Sequence, residues 1–360
     1  MRALIRGLLG LLVLFGASGG ARAAFAQAPA PAQTPAPTQT PARAPEQTPT
    51  PAPAAAPLAA SKSEPVVLET PTGKLHGTIE LPSAVCAPCP FVLLIAGSGP
   101  TDRNGNSVLL PGANNSLKYL AEGLAAGGVA SLRYDKRGVA ESAGAGKPEA
   151  ELRFEDYIED AVLWGRRLRA DPRASALVVA GHSEGSLVGA VAAQRLGADA
   201  FVSIAGAGRR IDVVALEQLK PQLPPELYAR SEAVFKSLVE GKTVPDAPQE
   251  LAVLFRPSVQ PYLISWLKYD PPKEVAKLAV PVLVAQGTHD LQARADDARA
   301  LAAAKPEARL LLVEGMNHVL KLTPADAKQQ GGSYGDPSLP VAPKFLAEVV
   351  AFVKGVGRKK

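Results

Sequence analysis

Short apolar runs at residues 91–96, 129–134, 176–180, 201–205, 280–285 and 310–313 alternate with stretches of helical periodicity. This rhythm constrains the chain more than any single residue does. A strand that is apolar on both faces must be covered on both faces. Helices supply that cover, because a parallel neighbour is reached only by a long crossover. The helical stretches fall at 115–126, 154–169, 186–195, 293–304 and 343–353. The sequence therefore predicts an α/β architecture, a doubly wound, mostly parallel sheet. Residues 66–69 and 74–81, joined by Pro71-Thr72-Gly73, read as an antiparallel hairpin that opens it. From about 208 to 276 the rhythm breaks into helical, proline-rich sequence without a strand. That segment is expected to be a cap inserted over the carboxyl ends of the strands, within a folded unit spanning 64–360.

The first 63 residues follow different rules. Arg2 and Arg6 precede an apolar stretch at 8–17, which is too short to span a bilayer comfortably, and A-x-A sites end at Ala23 and Ala26. Residues 1–26 are expected to be a signal peptide cleaved after Ala26, so that the chain is exported to the periplasm or medium and keeps no stable membrane insertion. Residues 27–63 are low-complexity Ala, Pro, Gln and Thr, the composition of an extended spacer without a core.

The net charge of +5 is inflated by that leader. Without Arg2, Arg6 and Arg22 the basic residues number 36 against 34 acidic ones. No basic face remains that would track phosphates, which argues against a nucleic-acid partner. Cys86 and Cys89 form a lone C-x-x-C with no second pair and no histidine nearby in sequence, so a zinc site is not expected. In an exported chain the pair is expected to close a small disulfide loop.

Gly181-His182-Ser183-Glu184-Gly185 lies between the run at 176–180 and the helical stretch from 186. A serine in a tight strand-to-helix turn is held with strained backbone angles, and glycines two residues to either side remove the Cβ atoms that would clash. Ser183 is therefore the candidate nucleophile. A serine nucleophile needs a base near neutral pKa, and the chain has four histidines. His76 falls in the opening hairpin. His182 precedes the nucleophile and should pack under the turn. His289 shares a loop with the candidate acid. His318, on the loop after the last run, is the one placed to reach Ser183. Asp290 ends the run 282–290, lies between Ser183 and His318 in sequence, and is the candidate acid that fixes the imidazole tautomer. Asp102, Asp135 and Glu314 are rivals. An oxyanion hole needs two N–H donors. That of Glu184 follows the nucleophile, and that of Ser98 lies in Gly97-Ser98-Gly99-Pro100 after the 91–96 run. Gly-Ser-Gly also suits phosphate binding, but no P-loop lysine follows. Tyr262, Trp266 and Tyr269 are helically spaced in the cap; Tyr262 and Trp266 are candidate substrate contacts, or they fasten the cap to the core.

The elbow, the 95–106 stretch with its Gly-Ser-Gly-Pro, Arg133-Tyr134-Asp135-Lys136-Arg137-Gly138, Gln286 to Asp290, Asn317-His318 and the cap run 256–262 together resemble serine hydrolases of the α/β-hydrolase superfamily. Bacterial carboxylesterases with this loop and a helical cap are the nearest resemblance. It implies hydrolysis of small to medium acyl esters through an acyl-enzyme, without metal or organic cofactor. A peptidase or amidase on the same fold shares the machinery, and a non-catalytic binding protein would keep the fold alone. One departure stands out: Ala140 occupies the second glycine position of the superfamily's Asp-x-Arg-Gly-x-Gly-x-Ser.

Overall fold

The computed structural model describes residues 61–83 and 88–356. The leader, most of the spacer, and Cys86, on which the export and disulfide expectations fall, lie outside the described residues. The opening hairpin pairs β1 (Ser61–Thr70) with β2 (Gly73–Pro82) in antiparallel register, Val67 opposite His76. β1 thus begins at Ser61, and residues 61–63 belong to the sheet rather than to the spacer. Ser61 and Ser63 donate to the buried Glu80 carboxylate, which also pairs with Arg133 at 2.9 Å. Those polar contacts carry the pairing past the last apolar residue, where hydrophobic alternation gives no signal.

The remaining strands are β3 (Cys89–Ile95), β4 (Ala130–Tyr134), β5 (Ala174–His182), β6 (Ala200–Ile204), β7 (Val282–Gly287) and β8 (Arg309–Val313). The sheet runs β1-β2-β4-β3-β5-β6-β7-β8. β2 meets β4 antiparallel, and every pair from β4 onward is parallel. β3, β4, β6 and β7 are almost wholly buried, as their continuous apolar runs require.

Helices α1 (Ser116–Ala126), α2 (Phe154–Arg169) and α3 (Glu184–Leu196) follow β3, β4 and β5. Between β6 and β7 come α4 (Ile211–Leu219), α5 (Pro225–Val239), α6 (Ala252–Phe255), α7 (Gln260–Trp266) and α8 (Pro271–Ala276), with no strand, as the sequence rhythm implied. Helices α9 (Ala295–Ala304), α10 (Ala327–Gln330) and α11 (Pro343–Gly355) complete the chain. One face of the sheet packs on α2, α3 and the insertion between β6 and β7. The other packs on α1 and α11 through Leu120, Leu124, Phe345 and Val349. The sheet is therefore covered on both sides, and its parallel strands end on a common edge.

At the departure noted in sequence, Ala140 has φ 46°, the left-handed conformation a glycine would adopt without cost. For a residue with a Cβ that conformation carries a strain of roughly 1–2 kcal/mol.

Candidate active site

The turn between β5 and α3 forces Ser183 to φ 57° and ψ −122°, angles that an L-residue rarely takes. Its N–H donates to the carbonyl of Ile204 at 2.9 Å, and its carbonyl accepts from Ser186 at 2.9 Å. The flanking glycines are obligatory. A Cβ on Gly181 would lie 1.9 Å from the Gly185 carbonyl oxygen, and one on Gly185 would lie 2.5 Å from that of Ile95. Backbone packs on backbone at this point, so no side-chain adjustment can make room.

Asp290, on the loop after β7, and His318, on the loop after β8, are buried and meet. Nδ1 of His318 lies 2.8 Å from Oδ2 of Asp290. A carboxylate accepts, so Nδ1 carries the proton and Nε2 is the basic nitrogen of the ring. The carboxylate is itself held. Gln286 Nε2 donates to Oδ2 at 2.8 Å, and the N–H groups of Gln292 and Ala293 donate to Oδ1 at 2.8 and 3.0 Å. A tight turn fixes the other loop: Asn317 N–H donates to the carbonyl of Lys321, and Lys321 N–H to the Asn317 side chain.

The rival acids serve elsewhere. Asp102 accepts the N–H groups of Asn104 and Asn106 within its own loop. Asp135 accepts from Arg103. Glu314 is largely exposed beside His289. Nδ1 of His289 donates to the carbonyl of Thr323 at 2.6 Å, and His76 stays in β2. Arg137 ties its loop to α2 through a two-point pair with buried Asp160 at 2.8 and 2.5 Å and to the β1–β2 turn through the Thr72 hydroxyl at 3.1 Å. His182 packs beneath the turn. Its Nε2 donates to the His318 carbonyl at 2.8 Å, and its ring lies 4.8 Å from that of His318. Burial, aided by the neighbouring imidazole, lowers its pKa to about 4 and keeps it neutral.

The loop after β3 closes against the nucleophile. A Cβ on Gly97 would lie 3.1 Å from that of Ser183. Ser98 is buried, and its carbonyl accepts from the Thr101 hydroxyl at 2.8 Å. Glu184 opens α3, where first-turn N–H groups lack helical partners. Its buried side chain accepts the Tyr262 hydroxyl at 3.0 Å. Burial raises the Glu184 pKa, with the nearby Lys136 charge opposing the shift.

Ser183 and His318 line two open clefts. The first, about 470 Å3, lies toward the insertion and is walled by Leu187, Ile211, Val214 and Trp266, with Arg209 and Gln292 at its polar side. The second, about 390 Å3, is lined by Ser98, Thr101, Ser107, Asn114 and Tyr334. The Gln292 side-chain amide donates to the Tyr334 hydroxyl at 3.1 Å and joins the two rims. Trp266 lines the first cleft and also stacks on Phe154 with centroids 5.5 Å apart. Tyr262 does not line either cleft, which corrects its assignment as a substrate contact. It turns inward to Glu184 and packs edge-on to Tyr157. Helical spacing places both residues on α7 but does not tell which one faces the opening.

Sequence reasoning passed over Gln286, Lys136 and Tyr334. Gln286 had a signal, a polar residue inside the apolar β7 run. Tyr334 had none, because residues 322–341 carry no periodicity.

Against known proteins, the chain is 29% identical over 265 residues to esterase EstD of Thermotoga maritima, covering 71% of this chain and 62% of that protein. It therefore spans less than two thirds of that relative's length. Est1E from Butyrivibrio proteoclasticus, solved with ferulic acid bound, superposes with a TM-score of 0.50 at 16% identity, covering 78% of this chain and 93% of that one. A puromycin-hydrolyzing peptidase from Mycobacterium tuberculosis gives 0.50 at 17% identity, covering 83% of this chain and 40% of that one. At such identities the likeness is one of fold, and the fold is that of the α/β-hydrolases. The family model for serine aminopeptidase S33, Hydrolase_4, matches residues 108–322, a span that holds the elbow and the loops of Asp290 and His318. The chain belongs to that family.

Proposed function

We propose that the protein is a serine carboxylesterase acting on small to medium acyl esters through an acyl-enzyme. The observation that carries this reading is the His318–Asp290 pair at 2.8 Å, buried at the junction of two clefts that Ser183 also lines. In the reading, Nε2 of His318 takes the Ser183 proton as Oγ attacks the ester carbonyl. Asp290 holds the ring and stabilises its protonated form. The N–H groups of Glu184 and Ser98 receive the oxyanion. The imidazolium then returns its proton to the departing alcohol. Water, deprotonated by His318, attacks the acyl-serine; as the acyl–oxygen bond breaks the imidazolium returns that proton to Ser183 Oγ and the acid leaves. None of these steps calls on a cofactor.

The family is named for a serine aminopeptidase, and one structural neighbour is a puromycin-hydrolyzing peptidase. An aminopeptidase must bind an α-ammonium, and a carboxylate is the usual partner. Among the described residues lining the two clefts, Glu184 is the only carboxylate, and it is already engaged by Tyr262. That favours a neutral ester over an amino-terminal peptide. The helical segment between β6 and β7 acts as a cap over the first cleft, and the chain is exported, with the leader removed after Ala26.

Turnover of aryl esters of increasing acyl length, beside aminoacyl amides, tests the reading. Ser183→Ala is expected to lose at least about a thousandfold in kcat, and an organophosphonate is expected to label Ser183 alone. Preference for the amides overturns the substrate class. Activity of Ser183→Ala near the wild-type level overturns the site.

A further inference from the structure

Lys136 is a buried cation that these steps do not use. It is 3% exposed. Its ammonium donates to the carbonyl of Gly97 at 2.5 Å and sits over the Tyr157 ring, 5.2 Å from the centroid. Glu184 supplies the opposing charge nearby, and burial lowers the Lys136 pKa against that attraction. Taking an ammonium out of water is costly, and here the cost is spent beside the nucleophile.

The carbonyl it holds is no ordinary one. Gly97 C=O and Ser98 N–H belong to a single planar trans peptide, in which the two bonds point in opposite directions. Whatever fixes the carbonyl fixes the aim of the N–H. Gly97 precedes this peptide and Gly99 follows Ser98, so local side-chain sterics restrain the plane weakly. The Lys136 ammonium adds a tether from outside the loop. Its charge also polarises the peptide, which makes the N–H a stronger donor.

We propose that Lys136 is a positioning residue for the oxyanion hole: its bond to Gly97 O holds the Gly97–Ser98 peptide so that the Ser98 N–H meets the oxygen of an ester attacked by Ser183. The inference rests on the esterase reading above. Lys136 makes no contact with substrate and gains or loses no proton in the cycle. Its carboxylate neighbour belongs to Glu184, whose own N–H is the other donor. Tyr262 reaches Glu184 from the insertion and joins the cap to this arrangement.

Lys136→Met tests it, since methionine nearly matches the volume and lacks both donor and charge. Deleting an oxyanion donor outright lowers kcat by about 10²- to 10³-fold; a misaimed one is expected to lower it roughly 10- to 100-fold. KM is expected to stay within about threefold, because the loss falls on the transition state. Affinity for a trifluoromethyl ketone, whose tetrahedral adduct calls on the same donors, should weaken in step with kcat/KM. A lysine that only supports folding would lower the denaturation midpoint and leave both readouts unchanged in the folded enzyme. If the single variant is not recovered folded because Glu184 is left unbalanced, Lys136→Met/Glu184→Gln removes both charges and is judged by the same readouts. A folded variant with kcat within about threefold of wild type, alongside an inactive Ser183→Ala, overturns the proposal and leaves the ester reading standing. An active Ser183→Ala overturns that reading first.

Discussion

Single residues at this site are governed by their surroundings more than by their type. His182 and His318 are 4.8 Å apart ring to ring, yet they hold different jobs because one meets a carbonyl and the other a carboxylate. The buried His182 has its pKa lowered from 6.5 to about 4. Its contribution to stability is fully present above pH 6.5 and is lost as the pH falls toward 4, since the unfolded chain binds a proton that the folded one refuses. The gap corresponds to about 3 kcal/mol. Unfolding free energies of wild type and His182→Gln from urea titrations should change relative to one another by about this amount across that window, with the variant less sensitive to acid; parallel curves would mean that the folded protein accepts the proton. The three residues of the proposed triad were legible in sequence because each lies just past an apolar run, where chain order and strand ends limit the possibilities. Lys136 was not. Its motif was visible, but no pattern says which distant carbonyl an ammonium will meet.

At the scale of elements, α2 and α7 pack the segment between β6 and β7 onto the sheet domain. The Phe154 N–H donates to the Ser265 hydroxyl at 2.8 Å, and Phe154, Tyr157, Tyr262, Trp266 and Tyr269 make one aromatic cluster. Trp266 contributes to both cluster and cleft wall. Trp266→Ala is therefore expected to cost about 3–5 kcal/mol of stability, read as a lower denaturant midpoint. It should also shift the preferred ester toward longer acyl chains in the same screen, because the indole no longer closes the cleft. An unchanged chain-length profile would place the acyl group in the other cleft. The insertion was recognisable from its missing strand, since proline-rich helical sequence cannot join the sheet. Which side of α7 faces the opening was not recognisable, because Tyr262 and Trp266 are equally amphipathic and only the position of Glu184 separates them.

Across the whole molecule, the residues that line the clefts come from loops after β3, β5, β6, β7 and β8, from the insertion, and from the segment before α11. The sheet order brings these ends together; the alternation of apolar runs foretold a mostly parallel sheet but not the order of its strands. The start of β1 was hidden because serines bonded to Glu80, rather than apolar residues, extend it. The proposed export has a direct readout: sequencing the amino terminus of chain recovered from the periplasm or medium should begin at Gln27, and an intact Met1 would reject cleavage.

The two clefts share Ser183 and His318. In the proposed reading the acyl half stays on Ser183 while the alcohol half leaves, and the space it vacates takes in whatever small hydroxyl compound is at hand. A competing alcohol that fits as well as water would then carry the acyl group off, so an arrangement proposed for hydrolysis would equally serve exchange between alcohols.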